Sequence, residues 1–200
     1  MTTFHLVRHA THAVLGQGIV GRAGEIPLSA EGCAQADRLA ARLARCPVRA
    51  VYSSPLPRAT QTAVPIARRF GLKVEVIEGA NELDYGDWTG QALDALRRMP
   101  RWGLFNSFRS FTRIPGGELI VEVQARIVGV MDALRDRHPD DQIVIVSHGD
   151  VIRAALAYAL GLPLDLAQRL AIDPASISTV VLEPYGLEVT RINEVVDEQH

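Results

Sequence analysis

The feature that most constrains the fold is a continuous apolar run late in the chain. Residues 143–146 read Ile-Val-Ile-Val, with no polar residue between them. β-Branched residues favour a strand, and the lack of polar alternation indicates that both faces of this strand are covered. Strands of this kind belong to parallel sheets with helices on both faces. The run therefore predicts an α/β fold.

Strand-like and helix-like patterns alternate along the rest of the chain. The predicted strands lie at about 4–7, 50–53, 73–77, 143–146, 178–182 and 187–192, and the predicted helices at about 30–45, 57–70, 91–99, 118–137 and 151–160. The last two strands form a hairpin, so the sheet must be mixed although mostly parallel. No linker divides the sequence. We therefore expect one domain, 1–200, a three-layer α/β/α sandwich with a loop or lid at 100–117 and a C-terminal hairpin at 178–192.

Composition and charge exclude several classes of protein. The formal net charge is −2, which argues against a nucleic-acid binder with a basic face. The longest apolar stretch, 151–162, is short and contains Arg153, so no membrane partner is expected. Cys33 and Cys46 match no metal or redox spacing, and the first residues do not resemble a signal peptide. These features predict a protein of the reducing cytoplasm.

Side chains suited to phosphate chemistry follow each of the first four predicted strands. They are Arg8 and His9 after the first strand, Arg58 after the second, Glu82 and Asp84 beyond the third, and His148 directly after the fourth. The carboxyl ends of parallel strands meet at one edge of a sheet, where such folds bind ligands. Guanidinium groups match phosphate oxygens, imidazole can act as a nucleophile or donor, and the helix start near Gly149 offers backbone N–H groups. The pattern predicts a phosphate-ester site.

Four segments also resemble a known family in the expected order. They are Leu-Val-Arg-His-Ala at 6–10, Ser-Ser-Pro-Leu-Pro-Arg-Ala-Thr-Gln-Thr at 53–62, Glu-Leu-Asp-Tyr-Gly-Asp-Trp at 82–88 and Val-Ser-His-Gly at 146–149. Together they are similar to the motifs of the histidine phosphatase superfamily, which includes the cofactor-dependent phosphoglycerate mutases. The resemblance covers residues 4 to about 160 and implies a phosphoglycerate mutase-like fold.

The resemblance also implies catalytic roles for five residues. His9 would be the nucleophile and form a phosphohistidine. Arg8 and Arg58 would hold the phosphate oxygens, with His148 as a further donor. Glu82 would protonate the leaving alkoxide and then accept a proton from water. These roles fit a loose transition state that spreads charge over the equatorial oxygens.

The substrate-binding set is expected to be larger. It comprises Arg8, Thr11, His12, Gly21, Arg22, Arg58, Glu82, Tyr85, Arg109, His148 and Gly149. The chain departs from the family pattern at Ala10, where a glycine is usual, at Thr11-His12, where Glu-Thr is frequent, and at Leu15, where an asparagine is frequent. These positions lie in the substrate-facing loop, so they bear on the substrate and leave the phosphate ligands in place.

Several alternatives remain at the level of single residues. Asp84 could replace Glu82 as the acid. Arg58, in the first turn of a helix, could be an ordinary solvated charge, and its place is poor for the helix dipole. His5, His138 and His200 are interpreted as structural or terminal histidines. The aromatic side chains of 100–117 could line a substrate pocket or only anchor a lid.

The predicted function is that of a metal-independent phosphomonoesterase acting on a small phosphorylated metabolite and releasing inorganic phosphate. A metal centre is disfavoured because two arginines at the site would repel a divalent cation. A phosphoglycerate mutase, requiring 2,3-bisphosphoglycerate, is the nearest alternative, and a non-catalytic phospho-ligand binding module is an alternative of another class. The C-terminal hairpin offers an edge through which a homo-oligomer could form.

Overall fold

Six strands form one mixed sheet in the computed structural model, which describes residues 1–196. The strands are β1 (Thr2–Arg8), β2 (Val48–Ser53), β3 (Val74–Val76), β4 (Gln142–Ser147), β5 (Ser176–Glu183) and β6 (Gly186–Val195). The helices are α1 (Ala30–Leu43), α2 (Pro57–Arg69), α3 (Leu93–Arg97), α4 (Pro100–Ser107), α5 (Ile120–Arg137) and α6 (Gly149–Leu160). The strand order is β3-β2-β4-β1-β5-β6, with parallel pairing from β3 to β1 and antiparallel pairing from β1 to β6.

Alternate side chains of the central strands enter two separate cores. Leu6 and Ile145 belong to the core that includes α5 and α6. Val7 and Val146 belong to the core that includes α1 and α2. Covering both faces removes the apolar side chains of β4 from water, as the Ile-Val-Ile-Val run predicts. The predicted three-layer architecture with a mixed sheet is confirmed.

The strand register brings the predicted site residues to one edge. Arg8 at the end of β1 pairs with Ser147 at the end of β4. Ser53 at the end of β2 pairs with Val146. The chain segments that follow these three strands therefore leave the sheet side by side, and His148 becomes the N-cap of α6.

The prediction of a loop over all of 100–117 was wrong, because residues 100–107 form α4. Pro100 is the first residue of this helix, a position where a missing N–H costs nothing. Trp102 and Phe105 then pack against Trp88, with ring centroids 5.2 and 5.4 Å away. Tertiary packing of these rings stabilises a helix that has no clear apolar period in the sequence. Residues 108–117, called the lid segment below, are irregular as predicted.

The C-terminal hairpin is confirmed and is slightly longer than predicted. β5 and β6 pair from Ser176 to Val195 around a turn at Pro184-Tyr185. Within residues 1–196, none of the helices combines the length and apolar character needed to cross a bilayer. His200, interpreted above as a terminal residue, lies outside the described residues.

Candidate active site

His9 follows β1 directly and is only 3% exposed. Its Nδ1 lies 2.9 Å from the carbonyl oxygen of Ala10. A carbonyl oxygen can only accept, so Nδ1 carries the proton and Nε2 keeps a lone pair. The N–H of Ala10 donates to Oγ1 of Thr62 at 3.0 Å, and Ala10 is not among the residues with positive φ. An alanine therefore fits at this position without strain.

Arg58 is the second residue of α2 and is 1% exposed, which excludes the alternative of an ordinary solvated charge. Its Nε–H donates to Nε2 of His9 at 3.3 Å, and its Nη2 donates to the carbonyl oxygen of Gly21 at 2.8 Å. Gly21 has a φ of +52°, which a residue with a side chain adopts only under strain. Gly21 thus holds the guanidinium against the lone pair of His9.

His148 lies beside His9 and also contacts Glu82. The rings of His148 and His9 have centroids 5.1 Å apart. Nε2 of His148 lies 2.7 Å from Oγ of Ser54, and its Nδ1 lies 3.6 Å from a carboxyl oxygen of Glu82. Arg8 completes the group, because its charge interacts with His9, His148 and Glu82, while its Nη1 donates to the carbonyl oxygen of Ile172 at 2.6 Å. The predicted five side chains therefore converge.

Burial and neighbouring charge set the protonation states. Burial, followed by the positive charge of Arg58, holds the pKa of His9 well below its ordinary value. Burial also holds the pKa of His148 well below its ordinary value. Burial, assisted by the charge of Asp150, raises the pKa of Glu82 to about 7. Near neutral pH the site therefore contains neutral imidazoles and a carboxyl group that can still donate a proton.

Four buried nitrogen atoms around His9 have no hydrogen-bond partner within the described chain. They are Nε of Arg8, Nη1 of Arg58, Nδ1 of His12 and Nδ1 of His148. An unsatisfied buried polar group costs about 1–3 kcal/mol, so several at one place are costly unless a ligand pairs with them. Two of the four belong to guanidinium groups, which favour an anion with several acceptor oxygens.

The residues that follow His9 and Ala10 supply two predicted neighbours of His9. The His12 ring lies 5.4 Å from that of His9, and its pKa is lowered to about 4 by burial and by the charges of Arg58 and Arg8. Thr11 is tied to α1, its N–H donating to Oε1 of Gln35 at 2.9 Å. His12 therefore borders the site, and a substrate contact for Thr11 stays a prediction.

Arg22 and Asp84 form a separate contact on the loop that carries Glu82. Nε of Arg22 donates to the backbone oxygen of Glu82 at 2.7 Å, and its Nη1 lies 3.7 Å from Asp84. Asp84 also accepts from the N–H of Gly86 at 2.9 Å. Only Glu82 of the two candidates contacts His148, so the geometry favours Glu82 as the acid. A substrate contact for Arg22 stays a prediction.

Tyr85 and Arg109 are placed against a residue that the sequence analysis did not select. Both side chains contact the carboxylate of Asp150, two positions after His148. They are buried, with Arg109 3% exposed. Their role in binding substrate stays a prediction.

Ser54 comes directly after the second predicted strand, within the second motif, and its Oγ lies 2.7 Å from Nε2 of His148. Asp150 is the neighbour of the site that sequence reasoning missed. Asp150 follows His148-Gly149 directly, but its partners are 65 and 41 positions away, so the sequence gives no sign of them.

At Gly149, an added Cβ would lie 3.3 Å from Nη1 of Arg153 and 3.6 Å from Nε of Arg8, which leaves little space for a side chain.

Within residues 1–196, no group of three or more His, Cys, Asp or Glu side chains is arranged to hold a metal ion. A catalytic role for a metal is not required by the groups at this site, since two guanidiniums can neutralise the phosphate charge. Independence from metal stays a prediction.

A neutral imidazole with an available lone pair, two guanidiniums and a protonated carboxyl define a class of enzyme that transfers phosphoryl groups through histidine. The chain belongs to the histidine phosphatase superfamily, branch 1, whose family model matches residues 4–195. The predicted family and the predicted enzyme class, a phosphatase of this superfamily, are confirmed.

Three similar proteins illustrate the range of the family. Phosphoserine phosphatase 1 of Hydrogenobacter thermophilus is 30% identical, over 96% of this chain and 92% of the relative. A probable phosphoglycerate mutase of Cronobacter sakazakii is 31% identical, over 90% of this chain and 85% of the relative. The structure of a phosphoserine phosphatase mutant from Entamoeba histolytica, in complex with phosphoserine, has a TM-score of 0.87 and 25% identity, covering 98% of each chain.

Proposed function

We propose that this protein is a metal-independent phosphomonoesterase that hydrolyses a small phosphorylated metabolite through a phosphohistidine on Nε2 of His9. One observation carries the proposal. The backbone oxygen of Ala10 fixes the proton on Nδ1, so the Nε2 lone pair is available beside the guanidinium of Arg58.

The first step forms the phosphohistidine. The Nε2 lone pair of His9 attacks phosphorus, and the bond between phosphorus and the ester oxygen breaks. Arg8 and Arg58 neutralise the charge on the equatorial oxygens, and His148 donates a further hydrogen bond. The leaving alkoxide takes the proton of Glu82, whose pKa is raised to about 7, so that a large share of it is still protonated at neutral pH.

The second step returns the enzyme to its resting state. Glu82, now a carboxylate, takes a proton from a water molecule as the water oxygen attacks phosphorus. The bond between phosphorus and Nε2 breaks, inorganic phosphate leaves, and His9 is again neutral. Glu82 is protonated once more, so atoms and charges balance over the cycle.

A small phosphorylated substrate is supported by the similar proteins. One relative is named a phosphoserine phosphatase, and the Entamoeba histolytica structure holds phosphoserine. We also propose that the protein works in the cytoplasm, which two free cysteines, Cys33 and Cys46, support.

The nearest alternative is phosphoglycerate mutase activity, favoured by the relative from Cronobacter sakazakii. In that reaction the phosphohistidine passes its phosphoryl group to an alcohol instead of water, with 2,3-bisphosphoglycerate as the cofactor. The chemistry at His9 is the same, so the acceptor distinguishes the two reactions.

Hydrolysis is expected to exceed transfer. Purified enzyme given 3-phosphoglycerate should release inorganic phosphate faster than it forms 2-phosphoglycerate, with or without 2,3-bisphosphoglycerate, and chelators should not change the rate. A panel with phosphoserine and other phosphorylated metabolites would identify the preferred ester. Isomerisation faster than phosphate release would favour the mutase. Tight binding of phosphate without turnover of any ester would indicate a binding module.

A further inference from the structure

Asp150 is a buried carboxylate at the start of α6, in a position that the proposed reaction leaves without a role. It is 8% exposed and accepts hydrogen bonds from three side chains. Nη1 and Nη2 of Arg109 donate to its two oxygens at 2.9 and 3.2 Å, and Nη1 of Arg153 donates at 3.2 Å. The hydroxyl of Tyr85 donates to Oδ2. One carboxylate thus gathers two guanidiniums and a phenol.

The partners of Asp150 come from different parts of the active-site edge. Tyr85 lies three positions after Glu82 on the same loop. Arg109 belongs to the lid segment, residues 108–117, and its guanidinium carbon lies 4.4 Å from the centroid of the Phe105 ring. Asp150 itself lies two positions after His148. It therefore connects the acid loop, the lid segment and the helix that follows the catalytic histidine.

We propose that Asp150 is a positioning residue for the general acid, fastening the Glu82 loop through Tyr85 and the lid segment through Arg109 to the start of α6. The proposal rests on the proposed function, because it assigns Asp150 to the acid of that reaction. Asp150 acts through Glu82 and does not contact the reacting atoms in this assignment.

A second carboxylate anchors the lid segment away from Glu82. The N–H and hydroxyl of Ser110 donate to the two oxygens of Asp165 at 2.8 and 2.9 Å. Asp165 lies in the turn that follows α6, at Leu164–Arg169. Asp165 and Asp150 therefore hold neighbouring residues of the lid, but only Asp150 also contacts the loop of the acid. This difference provides a matched control.

The charges that face Glu82 give Asp150 a measurable effect. Around its carboxyl group they are Asp150, Arg8 and Arg58, with the neutral ring of His148 beside it. Tyr85, Arg109 and Arg153 lie beyond Asp150. Arg22 and Arg126 contact its backbone oxygen, and Glu118 is paired with both of those arginines. Although burial opposes ionisation, Arg109 and its other donors hold the pKa of Asp150 below its ordinary value. Asp150 therefore stays anionic at working pH and disfavours the ionised form of Glu82.

Two substitutions should move the pH profile in opposite directions. Asp150→Asn removes the anion and leaves two cations, so Glu82 ionises more easily and the alkaline limb of kcat/KM for an alkyl phosphate should move down by about one pH unit. Arg109→Met removes a cation that partly neutralises Asp150. Glu82 then ionises less easily, so the same limb should move to higher pH. A variant that only loosens the structure has no reason to produce shifts of opposite sign.

Two further variants complete the experiment. Asp165→Asn should leave the limb in place. Tyr85→Phe, which removes a hydrogen bond without changing charge, should lower kcat/KM for the alkyl ester more than for p-nitrophenyl phosphate, and it keeps the test open if Asp150→Asn does not fold. The assignment would be overturned by an unchanged alkaline limb in folded Asp150→Asn or Arg109→Met, or by limb shifts of the same sign in these two variants. Equal losses of kcat/KM on both esters in Tyr85→Phe would also overturn it. Wild-type activity that depends on His9 would leave the proposed function standing in that case.

Discussion

Replacing His9 by alanine should reduce kcat/KM for p-nitrophenyl phosphate by at least about 10⁴-fold, because removal of a covalent nucleophile leaves only binding and electrostatic stabilisation. Loss of the ring leaves Nε of Arg58 without its acceptor, which costs about 1–3 kcal/mol. The folded state should persist, because this is a fraction of the about 5–15 kcal/mol by which domains are typically stable. Steady-state rates, with circular dichroism to verify folding, check both expectations.

His5, on the strand that directly precedes His9, provides a matched control. It is also 3% exposed, but its ring contacts Thr179 and Gln142 at 3.2 and 3.1 Å and not the phosphate ligands. His5→Ala should therefore keep its kcat while losing some stability. Equal losses of activity in the two variants would show that the effect of His9→Ala is structural.

Replacing Glu82 by glutamine should lower kcat/KM by an amount that depends on the leaving group of the substrate. For an alkyl phosphate, whose leaving alkoxide needs a proton, kcat/KM should fall by about 10²–10³-fold. For p-nitrophenyl phosphate, whose leaving group is stable without a proton, the loss should be within about tenfold, since kcat/KM reports only the formation of the phosphohistidine.

The pH dependence of kcat/KM tests the same proton donation by Glu82. The pKa of Glu82 is raised to about 7, so the acid is protonated below that pH and is lost as the pH rises through it. In the wild type, kcat/KM for the alkyl ester should therefore decline above about pH 7 relative to that for the aryl ester, and the difference should vanish in Glu82→Gln. Asp84→Asn should retain it. If Asp84→Asn loses the alkyl ester and Glu82→Gln does not, the two carboxyl groups have been assigned the wrong way round.

The sequence was sufficient for the parts of the fold that depend on local pattern. The apolar run at 143–146 specifies a doubly covered strand, and the alternation of strands and helices specifies three layers. The site followed from one physical rule, because Arg8, Arg58, Glu82 and His148 all come after strands whose carboxyl ends lie together.

The parts that the sequence did not predict depend on contacts between distant residues. α4 is stabilised because Trp102 and Phe105 pack against Trp88. No residue within 100–107 indicates this packing partner. The interactions of Asp150 with Arg109 and Tyr85 likewise form only in the folded chain.

The most direct test of the central claim is detection of the phosphorylated enzyme. Enzyme mixed with excess substrate, quenched within milliseconds and digested at alkaline pH, where a phosphorus–nitrogen bond survives, should yield a peptide carrying one phosphoryl group on His9. With p-nitrophenyl phosphate, whose leaving group needs no acid, the same peptide from Glu82→Gln should accumulate more phosphoryl group, because only the attack of water is then slowed. Rapid hydrolysis with no phosphoryl group on His9, or with the label on another residue, would contradict nucleophilic attack by this histidine.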